Sequence, residues 1–266
     1  MPSALEFISG RATAPGTTFT TLTPNTGDSF TIRNAPIGSK IFLVNAVVFS
    51  NSSGVLRIRS PKLHDNAQGI RLRHNSGNPQ PLLPFNIQQA LYPQDLLTAE
   101  ITGSATSGQI EVAGLWIYYA DLPGVASRFI DVGTLKSRAV NIFNVESSLT
   151  LGTTGDYSGQ KVINSDFDLF KANTDYALLG AMVDTNVLAI GYRGADVGNL
   201  RVAVPGHSDK KDLTREWFVK LSESLALPLI PVFNSANKSG ILIDAVGNQA
   251  STSVNVTSVF AELSPR

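Results

Sequence analysis

Polar and apolar positions alternate with a period of two along much of the chain, which is the pattern of half-buried strands. Thr17 to Thr23 and Ser29 to Arg33 alternate in this way. Ile41 to Phe49 is a more continuous apolar run of strand length, and it predicts a central strand covered on both faces. A turn at Asn51-Ser-Ser-Gly54 leads to Val55 to Arg59 and then to Gly69 to Arg73. Asn86 to Leu97 has room for a short helical turn, and Pro93 would break anything longer. Leu96 to Thr102 and Gln109 to Tyr119 read as strands, the second carrying Trp116, Tyr118 and Tyr119 either as core or as a stacking platform for sugar. Further strands are predicted at Ala139 to Val145, Leu149 to Gly155, Lys161 to Phe170, Tyr176 to Val183, Val187 to Tyr192, Asn199 to Val204, Ile241 to Ala245 and Ser253 to Glu262. The period changes once. Leu213, Trp217, Leu221 and Leu225 recur every fourth residue, predicting an amphipathic helix over about 209–226, capped by Ser208 or Asp209, that packs across a barrel end or docks a partner.

The segments also repeat. Pro81-Leu82-Leu83-Pro84-Phe85-Asn86 returns as Pro228-Leu229-Ile230-Pro231-Val232-Phe233-Asn234. Lys40 to Val48 returns as Asp175 to Val183, and Ile110 to Ile117, followed by Asp121-Leu122-Pro123, returns as Val254 to Ala261, followed by Leu263-Ser264-Pro265. A period this long is not a solenoid repeat. It predicts two similar domains, 1–124 and 125–266, joined at Ala120-Asp-Leu-Pro-Gly124 and each burying its own apolar faces. The fold class expected is all-β: two tandem jelly-roll or related antiparallel β-barrel domains from an internal duplication, with roughly eight strands each and one amphipathic helix inserted in the second.

Composition narrows the partners. Lys plus Arg and Asp plus Glu both number 21 in 266 residues, so no overall cationic surface exists to hold nucleic-acid phosphates, and sequence-specific nucleic acid is not expected as a partner. With no cysteine, disulfides and thiolate metal sites are excluded and stability must come from packing and assembly. The first residues carry no basic region followed by an apolar run and no stretch reaches 18 apolar residues, so neither a secretion signal nor a membrane span is expected. The N-x-[ST] matches at Asn51, Asn237 and Asn255 therefore read as ordinary loop sequence.

The search for chemistry ends without an active site. His64, His74 and His207 are scattered and lack metal-ligand spacing. Gly38-Ser-Lys40 and Lys238-Ser-Gly240 lack the glycines and helix of a phosphate loop. Asp166 and Asp168 share a strand face about 7 Å apart by strand rise; paired carboxylates can serve glycoside hydrolysis or help bind calcium, but such pairs occur freely at strand ends and read first as an idle pair. Arg193-Gly-Ala-Asp196 reads as a turn. Arg57 and Arg59, then Arg71 and Arg73, fall on one strand face each, giving either a solvated surface with scattered partners or a basic patch facing a neighbouring subunit, lipid headgroup or genome. No catalytic, cofactor or metal residue is assigned, and a structural or binding protein, not an enzyme, is expected.

Two tandem antiparallel barrels with a short Pro/Gly linker and no catalytic residues resemble the double jelly-roll major capsid proteins of non-tailed icosahedral viruses, including lipid-containing bacteriophages. The resemblance implies a homotrimer whose six barrels make a pseudo-hexagonal capsomer, location in the virion, and contacts with the capsid lattice, other virion proteins or an internal lipid membrane. It carries no diagnostic motif and assigns no residues. The chain is short for that family and only its second half shows a clear helix, which leaves a virion decoration or spike protein, a carbohydrate-binding β-sandwich pair, or a glycan-cleaving enzyme as alternatives.

Overall fold

The computed structural model describes residues 3–63, 65–83, 88–125 and 127–265. His64 and Pro84, Phe85 and Asn86 of the repeated segment lie outside the described residues.

The first half contributes β1 (Ala4–Thr13), β2 (Thr20–Thr21), β3 (Thr23–Pro24), β4 (Ile41–Phe49), β5 (Gly54–Arg59), β6 (Ile70–His74), β7 (Gln80–Pro81), β8 (Gln89–Leu91), β9 (Thr98–Ile101) and β10 (Ile110–Tyr119). The second contributes β11 (Phe129–Ile130), α1 (Val132–Arg138), β12 (Ala139–Thr150), β13 (Tyr157–Val162), β14 (Asp175–Val183), β15 (Val187–Arg193), β16 (Val202–Gly206), α2 (Lys211–Thr214), α3 (Trp217–Leu225), β17 (Ile230–Asn234), β18 (Leu242–Val246) and β19 (Ser253–Leu263).

The described residues form four antiparallel sheets. In the first half β3-β1-β10-β4-β7, with β8 also on β4, makes one sheet and β2-β9-β5-β6 the other. In the second half the sheets run β11-β17-β14-β19-β12 and β13-β18-β15-β16. The pairing order recurs: first long strand, β1 or β12, to last strand, last strand to the long apolar strand β4 or β14, and the start of that strand to β8 or β17. The proline segments themselves do not match in place: Pro81 lies opposite Val47, near the end of β4, whereas β17 lies along Asp175 to Ala177 at the start of β14, where β8 is its counterpart.

The strand β4 is covered on both faces, because Ile41, Leu43, Ala46 and Val48 join a core within the first half while Val44, Val47 and Phe49 join a second core. That second core differs from the expectation of two self-contained domains. It takes Leu5, Phe7, Val112, Trp116 and Tyr118 from the outward face of the first half and merges them with the interior of the second. The physical reason lies in β1 and β10, where residues of both parities are apolar, so one sheet partner leaves a full face uncovered.

Several expected elements take other forms. Gln89–Leu91 pairs with β4 instead of forming a helical turn. Ser29 to Arg33 makes only an isolated bridge, Thr31 to Leu96. Ala139 to Thr150 is one continuous strand because it follows β19 along its length, and the strand expected at Lys161 to Phe170 ends at Val162. The helix over 209–226 is broken at Arg215 and Glu216 into α2 and α3, and Lys210 stands at its start without a side-chain cap; Asp209 instead accepts from Asn78 Nδ2 at 3.2 Å. The helix α1, capped by Asp131 onto the Thr134 amide at 2.7 Å, carries too short an apolar signal to stand out.

The two helices α2 and α3 pack against β14 and β16, and α3 also against β17. Trp217 reaches through to Trp116, with ring centroids 4.9 Å apart. This close approach depends on Gly180 in β14, where a Cβ would stand 2.2 Å from the Thr214 carbonyl oxygen. Gly180→Ala is expected to destabilise the protein by about 2 kcal/mol or more, since backbone blocks the methyl, lowering Tm by about 4 to 8 °C. Gly152→Ala, which meets Ser158 Cβ at an ordinary 3.8 Å, serves as the control; equal melting of the two variants would contradict the packing.

Candidate functional site

Two surfaces each gather several charged residues into one cluster: the seam between the halves, and the outer face of the β2-β9-β5-β6 sheet. The seam is built where β1 and the loop after β3 meet β13, β15, β16 and β18. The Phe7 amide donates to the Arg201 carbonyl at 2.7 Å, and Trp116 Nε1 donates to the Ala203 carbonyl at 2.8 Å. Beside these, Arg201 is buried between two carboxylates, 2.6 Å from Asp28 and 3.2 Å from Asp244. Its guanidinium lies 3.2 Å from the Tyr157 ring centroid, a cation–π arrangement strengthened by desolvation. Asp28 also accepts from the Ser9 amide at 2.7 Å and from Ser9 Oγ at 2.9 Å, and Ser9 Oγ lies 2.9 Å from the Tyr157 hydroxyl. Arg193 reaches Asp244 at 3.0 Å. A second clasp joins Asp156 to Arg11 at 3.0 Å and to Thr26 at 2.9 and 2.8 Å.

Burial dominates the electrostatics here. It pushes the Asp28 carboxyl up to about 6, against the pull of Arg201 and the Ser9 hydrogen bonds. Asp244 is raised for the same reason despite Arg201 and Arg193, and the buried Tyr157 hydroxyl is raised well above its ordinary value. In Asp156 the balance reverses: burial opposes ionisation, but the Thr26 and Tyr157 amides, the Thr26 hydroxyl and Arg11 together hold it below the usual carboxylate range.

On the other surface, Leu56 and Ile58 point into the core while Arg57 and Arg59 point out. Arg57 lies opposite Arg71 in β6 and opposite Glu100 in β9. Glu100 gathers both β5 arginines, at 2.7 Å from Arg57 and 2.8 Å from Arg59. Burial resists its ionisation, yet the hydrogen bonds from Arg59 and Arg57 prevail and lower its pKa. Arg57 stacks 3.8 Å from the Phe19 ring centroid and Arg71 stands 5.5 Å from it. Thus the four sequence-predicted arginines share one face, three of them around Phe19 and Glu100; Arg73 follows two residues along β6. Arg71 is held by Gln68, and neither Arg71 nor Arg73 has an ion pair with a described residue.

The other candidates do not assemble. Asp166 and Asp168 lie in the loop after β13, not on a strand, and are claimed separately by Lys161 and Lys238. His74 and His207 are buried apart, each with its pKa lowered by desolvation. Asp196 of the Arg193-Gly-Ala-Asp196 turn pairs with Arg128 at 3.5 Å. Trp116 and Trp217 are fully buried and offer no stacking face to sugar. A cleft of about 620 Å³ lined by Arg128, Arg138, Asp175 and Glu262 has its central carboxylate, Asp175, engaged by Arg128 at 2.6 Å and Asn234 at 2.7 Å.

No protein-family model matches the chain, and no curated protein matches it. Among solved structures, the crystal structure of PBSX exported protein XepA is similar over 96% of this chain and 86% of that one, at 9% identity and a TM-score of 0.28. A structure described as the triple jelly roll fold and turret assembly in an archaeal virus is similar over 99% of this chain and 80% of that one, at 10% identity and a TM-score of 0.25. Scores this low carry no argument about what the chain does.

The raised Asp28 has a measurable consequence. Its folded pKa lies above the unfolded value of 3.8, so the native state binds the extra proton between pH 4 and 6. The Asp28 contribution to stability is full below that window and is lost as pH rises through about 6, by up to roughly 3 kcal/mol. The wild-type protein is expected to gain stability relative to Asp28→Asn on moving from pH 7 to pH 5, measured by urea denaturation of both. A difference that stays constant or shrinks over that range would contradict the buried placement.

Proposed function

We propose that the protein is a structural virion component, a major capsid protein whose two halves are jelly rolls derived by duplication and whose trimers form pseudo-hexameric capsomers. The observation that supports this reading is the recurrence of one strand-pairing order in both halves, each half with its first long strand, β1 or β12, against its last, the order expected of a jelly roll. A second observation is consistent with it: the charged groups gathered in the seam are spent on holding the halves together. In this reading the chain is not an enzyme, its main partners are copies of itself together with other virion proteins or an internal membrane, and its place is the virion. Duplication then has a physical purpose, because three two-domain copies tile a near six-fold position while leaving the six edges free to differ.

The full-length protein is expected to form trimers or larger shells at micromolar concentration, measured by mass photometry and negative-stain microscopy. Interfaces on the order of thousands of Å² are the norm for obligate assemblies of this kind. A strictly monomeric protein at high concentration would overturn the capsomer reading, and monomers that bind a glycan array would favour the carbohydrate-binding alternative.

A further inference from the structure

The seam inside one chain has an open counterpart on the surface. The registers align the halves residue by residue: Arg57 lies opposite Glu100 as Gly191 lies opposite Asp244. The ion pair Arg59 to Glu100 on the open β2-β9-β5-β6 face therefore repeats Arg193 to Asp244 on the β13-β18-β15-β16 face, which the first half covers. The same holds for the strands that meet those faces. Both β1 and β12 pair with the last strand of their half, but the outward residues of β1, Leu5 and Phe7, are wholly buried in the seam. The outward residues of β12 are open, with Val140 66% and Ile142 57% exposed.

The neighbourhood of β12 extends this open apolar ground. In the loop after β13, Phe167 and Leu169 are more than half exposed. That loop runs beside β12, since Asp166 accepts the Ser148 amide at 3.2 Å and Phe170 meets Phe143 at 5.8 Å. Four exposed large apolar side chains in one region are more than a solvated strand face needs. The charges match across the two surfaces. Among the described residues, Arg71 and Arg73 have no carboxylate partner on theirs. On the β12 side, Glu146 accepts from Thr257 and Asp184 from Asn255, both neutral donors, and neither carboxylate has an ion pair with a described residue.

We propose that the outward face of β12, with Val140, Ile142, Glu146, Asp184, Phe167 and Leu169, docks on the arginine face of β5 and β6 in a second copy of this chain. The contact is head to tail, repeats the internal seam between copies, and rests on the capsomer reading above. Two different faces on each copy generate a ring when the rotation closes, so three internal seams alternate with three contacts between copies. Like charges brought opposite each other across such a contact cost enough to weaken association tenfold or more.

The test compares assembly of full-length variants by mass photometry, with near-ultraviolet circular dichroism as the check on folding. Arg71→Glu with Arg73→Glu, and separately Glu146→Arg with Asp184→Arg, are expected to weaken association of folded chains at least tenfold. The chain carrying all four substitutions restores opposite charges across the contact and is expected to assemble like wild type. If wild type forms trimers and both double variants do so equally well, this docking is overturned while the capsomer reading stands. Loss of assembly in the doubles without recovery in the fourfold variant also overturns the pairing of these two faces. Wild type that never associates overturns the capsomer reading instead.

Discussion

Everything in this structure depends on the sheet that contains β1, β10 and β4 being apolar on both sides. One side packs within the first half; the other must be kept from water by something else. Trp116 alone, fully buried, represents about 200 Å² of surface and roughly 5 kcal/mol of transfer free energy. Its indole ring is bracketed by Phe7 at 4.6 Å and Trp217 at 4.9 Å, so the first and second halves share one side chain between them. An exposed face of this kind would drive aggregation of an isolated first half. The second half is thus the permanent lid of the first, which sets a cooperative chain apart from two beads on a linker.

Apolar contact supplies the driving force but little register, because it is not directional. The ionic groups in the seam supply the register. Desolvating Arg201, Asp28 and Asp244 is costly, and buried ion pairs seldom return more than they cost, as the raised carboxyls of Asp28 and Asp244 reflect. What they fix is position: a guanidinium that meets two carboxylates and a tyrosine ring cannot slide along the sheet without leaving a charge unpaired. The clasp of Asp156 with Arg11 and Thr26 adds a second point, and two points define an orientation. The surface arginines around Glu100 repeat part of this device where it faces outward.

Much of the architecture was legible in the chain. The unbroken apolar run of β4 announces a strand covered twice and the fourfold spacing of Leu213, Trp217, Leu221 and Leu225 announces helix, whereas the returning proline segments fall at different ends of β4 and β14, because a short motif carries no register of its own. The arginine alternation in β5 and β6 placed four cations on one face correctly, because strand parity is a local property. The seam was not legible. Ser9, Asp28, Tyr157, Arg201 and Asp244 are spread over the whole chain, and only the meeting of two folded halves brings them together. Asp166 and Asp168 were misplaced because alternation continues past Val162 into a loop, and the helix was drawn too long because the break at Arg215 leaves its apolar period intact. Self-contained cores were expected from the repeat itself, which says how each half resembles the other but not which faces they share.

Native-state hydrogen exchange on the full-length chain tests the shared core most directly. If the halves are held by one seam, the slowest amides of β1 and β10 and those of β18 and β19 open with the same free energy, within about 1 kcal/mol, through global unfolding. Amides of β1 and β10 that exchange through a separate opening, several kcal/mol lower and insensitive to the stability of the second half, would contradict the account.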